Sequence, residues 1–426
     1  MAKDKIKSIK GFKDILSDEA RYYRYLESLL LQKTLQHHIE EIRFPILEKS
    51  ELFNRTIGES SDIITKEMYD FIDKNGDSIC LRPEGTASLV RTAIEHNLIY
   101  DRGIKKQKYW YYGPMFRHEK PQRGRYRQFN QFGIEFFGYS DTNSDLEVIS
   151  FGDKLFKELS LENITLYLNS LGSYDDRVKY KKVIVDYLSK SIDVLTDEQK
   201  NTLSKNPLRL LDNKSENIQK LLKGIPKLYD NLSKSSKKRY DRLLDKLSKL
   251  GITFINDNSI VRGLDYYNDT VFEWRHNNLG SHGAICAGGR YDNLVNSIGG
   301  CNVPAIGFAI GVERVVDLLK NVPNKIITSF TIPIINLCSE DSINSIEISD
   351  KLRSKYPTIG FINTDSSSSF SSQVKHSLKI NDEFIIIITD KNVEENKVTV
   401  RHKSTNMSDM NLSINELYDL IGKSYE

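Results

Sequence analysis

Residues 116–135 read FRHEKPQRGRYRQFNQFGIE and place four arginines and two glutamates around one predicted turn. Alternate side chains of a strand share a face. One face of the second strand then carries an aromatic ring, an amide, a glycine and a carboxylate: Phe129, Gln131, Gly133 and Glu135. The other face carries Asn130 and the apolar residues Phe132, Ile134 and Phe136. Because Pro121 and Gly124 supply turn chemistry after an alternating stretch at 109–117, the sequence predicts a hairpin with a polar ligand site on one face.

Residues 113–135 resemble motif 2 of the class II aminoacyl-tRNA synthetases, and their wording is similar to the histidyl-tRNA synthetase family. Five further stretches agree with that family: EIRFPILEKSELFNRTIGE at 41–59 (motif 1), LRPEGTASLVR at 81–91 (amino-acid-binding segment), VRGLDYYNDTVFEW at 261–274 and AICAGGRYDNLV at 284–295 (histidine signatures), and GFAIGVERVVDLL at 307–319 (motif 3). The resemblance therefore covers most of the chain.

The predicted fold is an α+β catalytic domain with a mostly antiparallel sheet, like that of class II synthetases. Four segments are expected: 1–173 and 253–325 as the two parts of the catalytic domain, 174–252 as an inserted helical domain, and 326–426 as an α/β anticodon-binding domain. The insertion is inferred from a helical pattern with breaks at Pro207 and Gly224, and the last domain from apolar strands that alternate with helices.

Local patterns predict three elements that surround the hairpin. Residues 18–38 show the apolar periodicity of an amphipathic helix, and a strand is expected at 41–44, directly before Pro45. The resemblance makes this region the interface of a homodimer. A third element, a helix from 85 to 96, begins just after Pro83.

Composition sets the class of protein. With 426 residues, 39% apolar and 28% charged, the chain is expected to form two or three globular domains. No run approaches the ~18 apolar residues that a membrane span needs, and MAKDKIKSIKGFKD at the start lacks the apolar core of a secretion signal. The four cysteines are scattered without a C-x-x-C pair, so we expect a cytoplasmic protein with no membrane partner and no structural metal.

The net charge of +3 is unevenly distributed. Residues 177–249 contain 19 Lys or Arg against 9 Asp or Glu. A basic module on an otherwise acidic chain indicates a polyanionic partner, although a lysine-rich solvated face would give the same count.

The resemblance implies activation of L-histidine by ATP, followed by transfer to the 3′ end of tRNA(His). Arginine suits this chemistry because it is always charged and binds two phosphate oxygens at once. The implied ATP-binding residues are Arg117, Glu119, Arg125, Phe129 and Arg314, and Mg²⁺ is expected on the outer phosphates of ATP. The implied catalytic residues are Arg262, Arg117 and Gln131, with Arg262 close to the α-phosphate.

Selection of histidine requires hydrogen bonds to both imidazole nitrogens. The resemblance assigns these bonds to Glu135 and Tyr267. The remaining implied histidine-binding residues are Glu84, Thr86 and Gln131 at the α-amino end, and Tyr266 and Tyr291 in the pocket wall. Such a polar pocket rejects apolar isosteres, so no editing domain is expected.

The tip of the hairpin, with Gln122 and Arg123, would meet the acceptor end of the tRNA. Anticodon contacts are not assigned, because SSSSFSSQ at 366–373 occupies a place where basic residues would be expected. Two alternatives stay open: the regulatory subunit of ATP phosphoribosyltransferase, and a non-catalytic RNA-binding sensor. The first generally lacks a full histidine signature and the second requires a broken ATP site.

Overall fold

Two long strands of the predicted hairpin lie inside a large sheet in the computed structural model of the chain. The structure describes residues 5–58, 61–122, 124–213, 215–261, 264, 266–277, 283–322, 330–339, 343–364, 366–381, 383–402 and 408–425. The chain divides into two compact units, Met1–Lys325 and Ile326–Glu426.

The strands of the first unit are β1 Glu40–Glu41, β2 Leu47–Lys49, β3 Tyr69–Ile72, β4 Ser78–Leu81, β5 Gln107–Phe116, β6 Gln128–Phe137, β7 Ile164–Ser170, β8 Phe254–Asn256, β9 Asn268–His276, β10 Ala284–Arg290 and β11 Ala305–Gly311. Its helices are α1 Ser17–Gln36, α2 Ser50–Ile57, α3 Thr86–Glu95, α4 Thr142–Glu158, α5 Tyr174–Leu188, α6 Asp197–Lys205, α7 Glu216–Leu222, α8 Leu228–Asn231, α9 Lys234–Lys249, α10 Leu294–Ser297 and α11 Val312–Leu319. A π-helical turn covers Ile63–Glu67, and 3-10 segments cover Ser189–Val194 and Pro207–Asp212.

The main sheet has the strand order β1-β5-β6-β11-β10-β9-β7-β8 within the described residues. Its pairs are antiparallel except for β1 with β5 and β7 with β8. The prediction of an α+β fold with a mostly antiparallel sheet is therefore confirmed. Helices α5 to α9 lie between β7 and β8 in the sequence. The sequence pattern predicted this segment to be helical.

One predicted strand is shorter than expected. Residues 41–44 were predicted to be extended, yet only Glu40 and Glu41 pair with β5. The N–H of Ile42 still donates to the carbonyl of Trp110 at 2.9 Å, but the ladder ends there. Pro45 follows closely and cannot donate to a ladder, so the chain leaves the sheet before it.

The apolar face of β6 lies in the principal hydrophobic core. Phe132, Ile134 and Phe136 are fully buried against α1, α4 and α11 through residues such as Leu30, Phe151 and Val315. Tyr240, Leu243 and Leu247 of α9 join the same core. The opposite face of β6 is thereby turned away from this core.

The second unit is an α/β domain with the strand order β13-β12-β14-β15-β16. Its elements are β12 Thr331–Asn336, α12 Asn344–Lys355, β13 Gly360–Asn363, α13 Phe370–Ile380, β14 Phe384–Ile388, α14 Asp390–Glu394, β15 Lys397–His402, β16 Asp409–Ser413 and α15 Ile414–Tyr425. Strands β13, β12 and β14 are parallel, and the other pairs are antiparallel. The predicted C-terminal α/β fold is confirmed. Among the described residues of both units, no helix is long and apolar enough to span a bilayer.

Candidate active site

Strands β5 and β6 pair along their whole length as the predicted antiparallel hairpin. Tyr111 lies opposite Gly133, Gly113 opposite Gln131, and Met115 opposite Phe129. Phe129 and Gln131 open into a cavity of about 210 Å³. Nine residues predicted for the site line this cavity: Thr86, Arg117, Glu119, Arg125, Phe129, Gln131, Tyr266, Tyr267 and Arg314.

The other six predicted residues do not line the cavity or fall outside the described chain. Glu135 and Tyr291 are buried and contact each other, and Glu135 also contacts Thr86 of the cavity lining. Glu84 is buried at the start of α3 and does not line the cavity. Gln122 is exposed at the hairpin tip, where its N–H donates to the carbonyl of Arg125 at 3.2 Å. Arg123 and Arg262 fall outside the described residues.

The carboxyl group of Glu135 is fully buried below the cavity. The hydroxyl of Thr86 donates to its Oε1 at 2.7 Å, and the phenol of Tyr291 donates to its Oε2. Burial raises the pKa of Glu135 from its ordinary 4.5 to about 8, although both hydrogen bonds act in the opposite direction. The Glu135 carboxyl therefore holds its proton more strongly than a solvent-exposed carboxyl does.

Glu84 acts as a cap for α3. Its carboxylate accepts the backbone N–H groups of Thr86 at 2.7 Å and Ala87 at 2.8 Å. These are free donors at a helix N-terminus, so the acidic side chain stabilises the start of the helix. Through this cap Glu84 fixes the position of Thr86, and Thr86 in turn contacts Glu135.

An aromatic wall and an amide complete this side of the cavity. The rings of Tyr266 and Tyr267 lie 4.6 Å apart, and the ring of Tyr291 lies 5.7 and 6.3 Å from them. The side-chain oxygen of Gln131 is buried and has no hydrogen-bond partner among the described residues. A buried acceptor without a partner is unfavourable, so a ligand that donates a hydrogen bond at this position is favoured.

The opposite side of the cavity is cationic. Arg117 donates from Nε to the carbonyl of Pro83 at 2.8 Å, and its guanidinium lies 5.3 Å from the ring centre of Phe129. Arg125 Nε lies 3.1 Å from Glu119 Oε2, and Arg117 Nη1 lies 3.7 Å from Glu119 Oε1. Glu119 is thus the shared counter-ion of two arginines.

Arg314 enters from the first turn of α11. It donates to the carbonyls of Gly124 at 3.4 Å and of Ala284. Burial lowers its pKa to about 10, and the positive charge of Arg125 contributes to this shift. An anion bound among these arginines would offset their repulsion, so this side suits phosphate groups.

Sequence reasoning missed Glu313, which joins the hairpin to α11. Its carboxylate accepts both the backbone N–H and the side-chain amide of Asn130 at 2.9 Å. Burial raises the pKa of Glu313. The two residues are 183 positions apart, and strand alternation indicates the face of Asn130 without naming a partner.

Sequence reasoning also missed Tyr111, whose ring fills the space between two glycines. A Cβ atom at Gly85 would lie 2.1 Å from the ring, and one at Gly133 would lie 2.4 Å from it. Both glycines are therefore required for the close approach of α3 to β6. Glycines at positions 85 and 133 were the only sign in the sequence that a large ring packs against the backbone here.

A third feature that was missed is the buried ion pair beside Tyr291. Arg290 is only 1% exposed, and its Nη2 lies 2.7 Å from Asp145 Oδ2 on α4. Its Nη1 lies 3.1 Å from Asp292 Oδ1. The residues on both sides of Tyr291 are therefore anchored, and this fixes the phenol that contacts Glu135.

No group of three His, Cys, Asp or Glu side chains suited to a metal ion is found in the described parts of the chain. The cavity instead combines one neutral, buried side with one cationic side. A ligand with a small polar end and a polyphosphate end matches both.

Comparisons with known proteins agree with this geometry. A family profile described as "Histidyl-tRNA synthetase" matches residues 11–315, and one described as "Anticodon binding domain" matches residues 336–424. A histidine–tRNA ligase of Legionella pneumophila (strain Lens) is 40% identical over 424 residues, which are 99% of each protein. One from Buchnera aphidicola subsp. Schizaphis graminum is 41% identical over 395 residues, 92% of each.

A solved structure leads to the same family. The apo histidyl-tRNA synthetase of S. aureus superposes with a TM-score of 0.80 at 30% identity, covering 98% of this chain and 99% of that one. Because the family profile matches more than half of its length and the curated relatives are about 40% identical over nearly all of it, this chain belongs to the histidyl-tRNA synthetase family.

Proposed function

We propose that the chain ligates L-histidine to tRNA(His) in two steps. In the first, the histidine carboxylate attacks the α-phosphorus of ATP and pyrophosphate leaves. In the second, the histidyl group passes from the adenylate to a hydroxyl at the 3′ end of the tRNA, and AMP leaves. The single observation that carries the proposal is the cavity lining, which combines Thr86, hydrogen-bonded to the buried Glu135, with Arg117, Arg125 and Arg314.

On the neutral side, Glu135 is proposed to bind one imidazole nitrogen and Tyr267 the other. Tyr266 and Tyr291 form the wall, and Gln131 is proposed to bind the α-amino group through its free oxygen. Glu84 acts mainly through its cap on α3, which positions Thr86. These groups are buried, so a ligand that leaves one of them without a partner binds poorly.

On the cationic side, Arg117 is proposed to contact the α-phosphate, and Arg125 and Arg314 the outer phosphates. ATP binds as its Mg²⁺ complex, and its adenine stacks on Phe129 beside Glu119. Catalysis then consists of positioning and of neutralising the charge that develops on phosphorus. Arg262 is proposed to act at the α-phosphate, on the resemblance alone.

The acceptor end of the tRNA is proposed to meet the hairpin tip at Gln122 and Arg123. A Gln122→Ala enzyme that keeps an unchanged preference for the extra 5′ guanine of histidine tRNA would remove this assignment. The basic helical segment is proposed to contact the tRNA as well, and a footprint that spares 174–252 would contradict this.

A homodimer through motif 1 is proposed from an exposed apolar surface. Ile46 and Leu47 are 42% and 47% exposed in the single chain. Leu47 also lines a concave surface with Leu52, Ile79 and Ile298. In a two-fold interface one change acts twice, so Leu47→Arg is expected to yield a monomer by light scattering, and an unchanged dimer would contradict the assignment.

The decisive test of function is histidine-dependent exchange of labelled pyrophosphate into ATP. Exchange is expected with histidine alone among the amino acids, and it should stop in Glu135→Ala. Equal exchange with another amino acid would refute the specificity. No exchange at all would favour a regulatory or RNA-binding relative that shares the fold.

A further inference from the structure

The chain segment before α1 lies against the base of the hairpin loop. The backbone N–H of Arg127 donates to the carbonyl of Gly11 at 2.8 Å, and the N–H of Arg117 donates to the carbonyl of Arg127 at 2.9 Å. Arg127 therefore closes the loop 117–127 and at the same time holds the N-terminal segment. We refer to residues 9–13 as the N-terminal strap.

The side chain of Arg127 adds two longer hydrogen bonds. Its Nε donates to the carbonyl of Glu119 at 3.3 Å, and its Nη1 donates to the carbonyl of Lys10 at 3.4 Å. Glu119 is the counter-ion of Arg125 in the cavity. One side chain thus links the strap to the backbone of a residue that lines the site.

Gly11 permits this close approach. Its φ is +91°, and a Cβ at this position would lie 2.7 Å from Cδ and 2.8 Å from Cγ of Arg127. A side chain at position 11 would therefore push Arg127 away and strain the backbone.

Two neighbours of Gly11 extend the contact to both sides of the loop. The ring of Phe12 lies 6.4 Å from that of Tyr69, which lies 5.6 Å from His118. Lys13 Nζ lies 5.5 Å from the ring centre of Tyr126, a residue of the cavity wall.

Lys13 also connects the strap to α11. Its Nζ lies 2.6 Å from Glu19 Oε1, and Lys320 Nζ lies 2.7 Å from the same oxygen. Lys320 directly follows α11, the helix that carries Arg314. The strap therefore reaches both elements that contribute arginines to the cavity.

We propose that the strap and Arg127 are positioning residues for the triphosphate of ATP. They hold the loop with Arg117 and Arg125 at a fixed distance from Arg314, and they touch no substrate themselves. This inference rests on the proposed function. Ile6 and Ile9 are 101% and 70% exposed, so the segment adds little to the hydrophobic core and its loss should affect ATP more than folding.

A matched pair of glycine variants in the full-length chain tests this. Gly11→Ala places a Cβ against Arg127, whereas Gly76→Ala has nearly the same φ of +89° with nothing within 4 Å. Both variants carry similar backbone strain, and only the first disturbs the loop. In pyrophosphate exchange Gly11→Ala should raise KM for ATP about tenfold, since small misplacements of catalytic groups have effects of this order or more. KM for histidine should stay unchanged, and Gly76→Ala should match the wild type.

Equal KM values for ATP in the two variants would overturn the inference, and so would a parallel rise in both KM values of Gly11→Ala. Should Gly11→Ala fail to fold, Arg127→Met gives the same test and Arg127→Lys should restore part of the ATP affinity. Absence of exchange in the wild type would overturn the proposed function instead. Equilibrium dialysis of Gly11→Ala and Gly76→Ala with labelled ATP would then decide on the strap alone.

Discussion

The two sides of the cavity hold their polar groups in different ways. The residues proposed to bind histidine, here called the histidine side, are Thr86, Gln131, Glu135, Tyr267 and Tyr291. Their central carboxyl is fully buried and bonded to protein hydroxyls. The residues proposed to bind the phosphates, here called the phosphate side, are Arg117, Glu119, Arg125 and Arg314. The side chains of Arg117 and Arg125 are 20% and 31% exposed. One side is buried and hydrogen-bonded within the protein, and the other is charged and partly exposed.

This difference indicates which side sets the selectivity for histidine and which side sets the affinity for ATP. Changing one member of a buried hydrogen-bond network costs much binding free energy, because its partners are left without hydrogen bonds. Several arginines around one polyphosphate share its charge, and the remaining ones compensate for a loss. The histidine side should therefore respond to substitution more strongly than the phosphate side.

The largest effect is expected for Glu135→Gln. The amide keeps the shape but replaces one of the two accepting oxygens by an NH2 donor, so either Thr86 or Tyr291 then faces a donor instead of an acceptor. The value of kcat/KM for histidine should fall about 10⁴-fold, the discrimination that buried polar pockets reach. Initial rates of pyrophosphate exchange measure it, with exposed Glu216→Gln as control. A fall of less than about tenfold would show that Glu135 does not select histidine.

The next effect concerns the support behind Tyr291. Asp145→Asn removes the charge that faces Arg290 at 2.7 Å and Arg239 at 2.9 Å. The free energy of unfolding should fall by about 3–5 kcal/mol, because a buried guanidinium loses its counter-ion. Urea unfolding measures this loss.

The same helix offers the control for that experiment. Asp153 forms a surface pair with Lys157 at 2.8 Å, and the lysine is 65% exposed. Asp153→Asn should change stability by about 0–1 kcal/mol. Equal losses in the two variants would mean that the buried pair does not anchor the histidine side.

A smaller effect is expected on the phosphate side. Arg314→Gln should lower kcat/KM for ATP about 10²-fold, comparable to the loss of one donor to a developing negative charge. Arg125→Gln should have a weaker effect, because Arg125 is more exposed and already pairs with Glu119. Pyrophosphate exchange rates at varied ATP concentration compare the two variants. A larger effect of Arg125→Gln than of Arg314→Gln would contradict the greater importance of Arg314 for ATP.

The smallest effect is a dependence of stability on pH. The folded-state pKa of Glu135, about 8, exceeds its ordinary value of 4.5. Below pH 4.5 the group is protonated in both states. As the pH rises towards 8, the unfolded chain ionises first, so this group lowers stability progressively.

Glu135→Gln removes this titration. Relative to the wild type, the variant should gain at least about 1.4 kcal/mol between pH 5 and 8.5, the free energy of one pKa unit. Unfolding at both pH values measures the gain, and a difference that does not change with pH would contradict the raised pKa.

Strand alternation in the sequence predicted much of the hairpin. It identified the buried face of Phe132, Ile134 and Phe136, because a period of two residues fixes which side chains share a face. It did not predict the register that places Tyr111 opposite Gly133. The family resemblance identified further site residues, and several of them line the same cavity, including Thr86, Gln131 and Arg314.

Contacts between distant segments could not be predicted in this way. The pairs Asp145–Arg290 and Asn130–Glu313 are 145 and 183 residues apart, and periodicity carries no information on which distant side chains meet. The cap formed by Glu84 was missed for another reason: its carboxylate was assigned to the ligand, although two free N–H groups of α3 lie beside it.

The central claim is that one side of the cavity binds histidine and the other side binds the phosphates of ATP. It is tested most directly by measuring KM for histidine and for ATP in both Glu135→Gln and Arg314→Gln. We predict that Glu135→Gln impairs the use of histidine and leaves KM for ATP unchanged, and that Arg314→Gln does the reverse. Parallel changes in both constants for both variants would contradict the division.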